Sequence, residues 1–262
     1  MKTFTTLAIA ALLFFLVSCE STVEEVETVC LPLNMTITQV QGSMTSKIIA
    51  DFHYVEESDL LDHITWSNHQ THYFEYDESG KLCVVKMMKV DTKVLEELWF
   101  EYDGNLVEKV HLIKRNLDYV YLEPMDSIYS GKVLMEYNAE MIIREREYAF
   151  TEDDNREEFV RDVRYEYDAL GNLISSNTMY PQLGKTEQES MTYDQSKHPF
   201  GGLQYYFNGE SFVNNMVSKS ESESGFEFTY DLRLNEYGYP DAIYEKLGSS
   251  NTRIFKYAYS VK

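Results

Sequence analysis

The sequence predicts an all-β protein, an antiparallel meander of repeated β-hairpins that forms an extended twisted sheet able to curl toward a barrel. Three observations carry this. Apolar and aromatic residues recur at even spacing, as in Phe159, Val163, Tyr165 and Tyr167, which is the period of a strand with one buried face. Such runs end in Asp, Asn and Gly, the residues of tight reversals, and the combination repeats along the chain. Helical spacing is nearly absent; the best candidate is Thr92 to Leu98, where Val94, Leu95 and Leu98 would share a helix face.

The chain opens with Lys2 and an apolar run from Leu7 to Val17, too short to span a bilayer as a helix and typical of a signal peptide over residues 1–18. Its exit, Leu16-Val17-Ser18-Cys19, resembles the lipobox of bacterial lipoproteins, which implies cleavage before Cys19 and acylation of its sulfur. Residues 19–30 are acidic, lack aromatics and read as a tether. No Pro/Gly/Ser-rich linker interrupts residues 31–262, which read as a single repeated-hairpin domain.

The clearest repeat is Val163 to Ile174, where Tyr165 and Tyr167 share one face, Arg164 and Glu166 the other, and Asp168 to Asn172 makes the reversal. His72 to Leu82 matches it, with Asp77 and Gly80 in the turn and Tyr76 six residues before Leu82. Trp99 to Leu106 is a shorter copy on Asp103 and Gly104, with Tyr102 four residues before Leu106. A loop shortened by two keeps the apolar set on its face, whereas shortening by one would flip it. Tyr137 to Met141 follows the short form. Tyr193 to Pro199 and Leu234 to Pro240, the latter with Gly238, follow the long form, and a Pro at the returning position marks a strand start or an edge. Met141–Phe150, Phe159–Tyr167, a hairpin on Asn208-Gly209, the run Phe226 to Leu234 and Thr252–Tyr259 supply further strands.

Tyr-Asp-x-x-Gly-Asn-Leu with a Tyr two before, as in Tyr165 to Leu173, resembles the YD repeat of Rhs-type cell-surface proteins. The Tyr193 to Phe200 and Asn235 to Pro240 segments are similar to a group of YD-repeat-like outer-membrane lipoproteins of Gram-negative bacteria. The resemblance implies a long antiparallel meander and brings no catalytic residues.

The chain carries 44 acidic against 23 basic residues, a net charge of −21 that disfavours nucleic acid and anionic lipid head groups as partners. Cys30 and Cys83 form a candidate disulfide, although Cys83 in Leu82-Cys83-Val84-Val85 equally suits a buried thiol. No nucleophile elbow, zinc-protease motif, phosphate loop or Cys-x-x-Cys is present. His63, His69, His72 and Glu75 are the best metal candidates, but His72 and Glu75 face opposite sides of a strand, so no metal and no cofactor is expected. Asp153, Asp154, Asn155, Glu157 and Glu158 lack the spacing of a calcium loop. Most of the 21 Tyr and 14 Phe suit a sheet core. Tyr205, Tyr206 and Phe207, three in a row, cannot all face one core and form a candidate platform for a sugar ring.

These features point to a non-catalytic cell-envelope lipoprotein, anchored through lipid at the outer membrane on its periplasmic or outer side and recognising an extracellular ligand such as a glycan. The alternatives are a structural component of a surface assembly with a protein partner, a hydrolase with carboxylates in a cleft, and a transmembrane β-barrel, which the Glu and Lys alternating with the aromatics disfavour. Radiolabelled palmitate should enter the wild type and not Cys19→Ala; equal labelling of the two would overturn the lipobox reading.

Overall fold

A computed structural model of the chain describes residues 30–89, 94–117, 124–139, 141–151, 156–198, 200 and 213–261. Cys19 with the leader, Asp153 to Asn155, and the Asn208-Gly209 hairpin with Tyr205, Tyr206 and Phe207 lie outside the described residues.

Sixteen strands follow one another: β1 (Cys30–Gln41), β2 (Met44–Tyr54), β3 (Leu61–Trp66), β4 (Gln70–Tyr76), β5 (Leu82–Lys89), β6 (Val94–Asp103), β7 (Leu106–Leu117), β8 (Pro124–Asn138), β9 (Met141–Thr151), β10 (Arg156–Tyr167), β11 (Leu173–Tyr180), β12 (Lys185–Lys197), β13 (Asn214–Glu221), β14 (Glu227–Leu234), β15 (Pro240–Leu247) and β16 (Ser250–Val261). Each pairs antiparallel with its neighbours in sequence, and β1 pairs with β16 from Cys30↔Val261 to Gln39↔Arg253. The meander therefore closes into a barrel and leaves no sheet edge. Among the described residues the helical content is one 3-10 turn, Pro181–Leu183.

The repeats are the turns of one end of this barrel, which also holds Cys30 and Val261. The three long copies share one hydrogen-bond scheme, in which the side-chain oxygen of the first residue accepts two backbone N–H groups. Asp77 takes them from Ser79 and Lys81 at 2.8 and 3.0 Å, Asp168 from Leu170 and Asn172 at 2.8 and 2.9 Å, and Asn235 from Tyr237 and Tyr239 at 2.9 and 3.0 Å. The glycine three residues after each lies at φ 83°, 90° and 83° for Gly80, Gly171 and Gly238. The short copies depart from expectation. Asp103 pairs with Leu106 across Gly104 and Asn138 with Met141, so Val107 and Ile142, not Leu106 and Met141, oppose Tyr102 and Tyr137 on the inner face, and these turns are one residue shorter than the long ones, not two. Pro240 begins β15, as a returning proline should.

At this end of the barrel, inward-facing tyrosines tie neighbouring strands together. The hydroxyls of Tyr54, Tyr76, Tyr102 and Tyr259 donate to the carbonyls of Pro32, Leu61, Leu82 and Pro240 at 2.8, 2.9, 2.7 and 2.7 Å, each acceptor lying at the start of the preceding strand. Inside, Met35, Ala50, Phe52, Ile64, Phe74, Val85, Phe100 and Val110 form the larger core, and Ile142, Val163, Tyr165, Leu173 and Met191 a smaller one. Phe200, beyond β12, packs its ring 5.5 Å from Phe52 and 5.8 Å from Tyr257 and so bridges the interior.

Three further expectations are corrected. The helical candidate is strand: Leu98 pairs with Val85 and Leu95 with Met88, so Leu95 and Leu98 lie on opposite faces of β6. The Tyr193 copy is not a closed five-residue turn. Asp194 still accepts from the Ser196 N–H at 2.9 Å, but its second donor is the Asn215 N–H at 3.2 Å, β12 continues to Lys197, and the chain returns only at Asn214. Cys30 and Cys83 are free thiols. They sit on β1 and β5 with three strands between them at ~4.8 Å spacing, beyond the ~7 Å Cα separation a disulfide tolerates.

An added Cβ on Gly171 would meet only Val213 Cγ2 at 3.6 Å, an ordinary contact, so the penalty for a side chain there is backbone strain. Gly171→Val should lower stability by ~1–3 kcal/mol. Ala169→Ser, in the same turn and exposed, should stay within about 0.5 kcal/mol. Thermal melts of the two variants check this, and a wild-type melting curve for Gly171→Val would refute the assigned turn strain.

Candidate functional site

The interior is not filled evenly. A cavity of about 460 Å³ runs from Met135 and Tyr165, near the repeat turns, to Tyr180 and Glu187 at the opposite rim. One wall, on β6 to β8 with Val163, is apolar: Leu98, Phe100, Val110, Leu112, Val133 and Met135. The facing wall, on β9 to β13, carries Glu145, Glu147, Arg161, Ser176, Thr178, Tyr180, Glu187, Glu189 and Lys219. Strand pairing explains the grouping, because residues opposite one another in a ladder share a face. Glu145 faces Val163, Glu147 faces Arg161, and Ser176 faces Glu189.

Most of these charges are compensated. Arg161 Nε donates to Glu147 at 2.6 Å, Lys219 reaches Glu189 at 2.6 Å, and Lys185 reaches Glu187 at 2.5 Å. Ser176 adds a 3.3 Å bond to Glu189. Glu145 differs. It is only 7% exposed, accepts from the Tyr165 hydroxyl, and among the described residues has no cation within ion-pair distance. Burial raises its pKa above the ordinary value of 4.5, against the smaller opposing pull of Tyr165 and Arg161.

Elsewhere on the inner face, Lys89 and Lys114 lie 2.8 and 3.5 Å from Glu96. Arg253 grips Glu245 through two bonds of 2.9 and 2.6 Å. Burial works to raise the Glu245 carboxyl, but the bonds from Arg253 and Thr252 carry it below its usual range. The outer face has its own ion pairs, Glu75 with Lys86, Glu101 with Lys109 and His111, Asp162 with Arg144, Glu136 with Arg146 and Asp231 with Lys246.

The histidines singled out in the sequence do not converge. His63 stacks on His53 with ring centroids 4.1 Å apart and bonds Asp62, while His72 turns inward to accept from Trp66 Nε1 at 3.3 Å. Burial, with Lys89 beside it, lowers the His72 pKa to about 4. Among the described residues no group of three or more His, Cys, Asp or Glu could hold a metal ion. Glu157 pairs with Lys132 at 2.6 Å. Glu145 and Glu147 were missed because a bulge shifts β9 by one residue, with Tyr137 opposite Ile142 but Glu136 opposite Arg144. Counting by twos from Ile142 places Arg144 inside; the structure places Glu145 there.

No family model matches the chain, and no curated protein does. Its fold is similar to that of a porin-like protein from Bacteroides vulgatus, with a TM-score of 0.57 and 12% identity over 88% of this chain and 99% of that one. A porin-like protein from Bacteroides uniformis aligns with a TM-score of 0.42 and 12% identity over 87% and 98%. The first of these shows a shared fold.

The raised Glu145 carboxyl has a sign that can be measured. Between 4.5 and its raised value the native state holds a proton that the unfolded chain has released, so this group costs stability as pH rises through that window. Glu145→Gln removes the penalty and keeps an acceptor for Tyr165. The melting temperature of the variant minus that of the wild type should grow from pH 4 toward pH 8, whereas a difference independent of pH would show that Glu145 ionises normally.

Proposed function

We propose that this chain is a non-catalytic cell-envelope protein, held at the outer membrane by lipid on Cys19, that binds a small extracellular ligand such as a glycan inside its barrel. The observation that carries the reading is the cavity. Its volume of about 460 Å³ lies within the ~300–1,000 Å³ common for small-ligand sites, and it sets an apolar wall against a wall of positioned polar groups. A sugar could lay its C–H face on Phe100 or Tyr165 and its hydroxyls against Glu147, Glu189, Ser176 and Thr178.

The outer face argues for a lipid tether rather than a membrane-spanning barrel. A spanning barrel turns an apolar band outward and polar residues inward. Here the ion pairs of Glu75, Glu101, Glu136, Asp162 and Asp231 stud the outside and the aromatic core lies within. The tether joins at Cys30, on the end of the repeat turns, so the rim at Tyr180 and Glu187 would point away from the anchor. Kinship with YD-repeat-like lipoproteins is part of the same proposal.

A hydrolase is the second reading, favoured by one specific feature: Glu145, whose carboxyl burial raises, lies two residues from Glu147, which Arg161 pairs. Thermal shift with a panel of neutral and amino sugars tests the first reading. A binder should raise the wild-type melting temperature and leave Thr178→Trp, whose indole would fill the cavity, unmoved. Mass spectrometry of the recovered sugar decides the second, since a hydrolase returns cleaved product. A panel that shifts neither protein would overturn binding in the barrel.

A further inference from the structure

The geometry points to a protonated amine as the feature of the ligand that this barrel selects, with Glu145 as the residue that takes it. The inference rests on the cavity reading above and narrows its ligand class. Four glutamates line the cavity against one arginine and one lysine, and the question is which carboxylate lacks a counter-charge. Glu147 has Arg161, Glu189 has Lys219, which also reaches Glu221, and Glu187 has Lys185 from its own strand, shared with Glu223. Glu145 has the Tyr165 hydroxyl and, among the described residues, no cation within ion-pair distance, Arg161 acting on it only from further off; it is more than nine-tenths buried while lining the cavity.

A carboxylate offers about four acceptor positions, and a hydroxyl fills one. Taking a charge out of water without a partner is costly, so an ammonium delivered by the ligand would meet a group already desolvated and oriented. Val163 lies opposite Glu145 in the β9–β10 ladder, and Met135 opposite it on β8, so no competing donor comes from either neighbour. The other charged groups facing it are Glu147 on its own strand, Arg161 on β10, Glu187 and Glu189 on β12 and Lys219 on β13. The apolar wall of Leu98, Phe100, Val110, Leu112 and Val133 would hold the body of the ligand, so an amino sugar and an arylalkyl amine share the required chemistry. Binding should strengthen as pH rises through the Glu145 titration, because an amine pairs with the carboxylate and gains little from the acid.

The test is isothermal titration of the purified full chain with two matched pairs, glucosamine with glucose and 4-phenylbutylamine with 4-phenylbutanol. In whichever pair binds, the amine should bind at least about tenfold more tightly, as expected for a charge-assisted hydrogen bond. Glu145→Gln should erase that preference, and Glu189→Gln should keep it. A preference in the sugar pair alone would identify a glycan-derived ligand; one in the phenylbutyl pair alone would identify a non-sugar amine. Equal binding of amine and neutral partner, or a preference that survives Glu145→Gln, would overturn the inference while leaving the cavity as a binding site. No heat from any of the four compounds, or binding undiminished in Thr178→Trp, would overturn binding in the cavity and the amine with it.

Discussion

Closing sixteen strands on themselves sets the problem that the rest of this structure solves. A barrel of about eight strands is just wide enough for its own side chains to fill, and doubling the strand number leaves an interior they cannot reach across. Three kinds of filling are visible. Large rings, among them Phe52, Phe74, Phe100 and Tyr257, occupy the end of the repeat turns. Phe200 enters from the segment after β12 and touches rings of both β2 and β16. Where neither suffices, long charged side chains meet in pairs, and the space left beside them is the cavity.

The turn end shows why the repeat takes the form it does. The residue before the turn must face inward to cap the core, and tyrosine does this with a hydroxyl long enough to reach the carbonyl that opens the preceding strand. Burial raises the Tyr102 pKa to about 12, so the group stays a donor at any ordinary pH. The next residue must reverse the chain, and Asp or Asn does so by accepting two backbone N–H groups that would otherwise face solvent. Each neutral bond contributes on the order of 1 kcal/mol, but four tyrosine ties and three matching turns fix the register around much of one rim. The short turns are one residue shorter than the long ones, not two, so Val107 and Ile142 oppose the inward tyrosines where Leu173 does in the long form, and an apolar residue returns inside in both.

That logic made the fold legible. Period-two patterning and turn residues identified strands and most reversals because both are local: Asp168 to Asn172 needs nothing beyond its own five residues to close. Closure of the barrel was less legible, since pairing of β1 with β16 joins Cys30 to Val261 and no short-range pattern reports it. The Tyr193 copy misled for a related reason. Its Asp194 carries the local signal, yet the second donor comes from Asn215 after a long excursion. The cavity was not legible at all. Its glutamates are scattered over β9 and β12, they stand among many other acidic residues, and bulges near the turns break the parity by which inward positions are counted.

The buried charges also bear on what the barrel is for. Paired ions in an interior contribute little compared with well-packed apolar residues, because desolvation offsets most of their attraction. A barrel selected only for stability would close the wall of β9 to β13 with the same rings that fill β1 to β8. Instead Arg161 pairs with Glu147, Lys219 with Glu189 and Glu221, and Lys185 with Glu187 and Glu223, and among the described residues Glu145 has no cation within ion-pair distance. Compensating three carboxylates of four lowers the cost of a polar wall and leaves the uncompensated one as its most discriminating position. The net charge of −21 acts mainly outside this balance, as solubility and as repulsion of polyanions. Surface field and cavity chemistry are therefore set by different residues, and substitutions on the outer face can change one without the other.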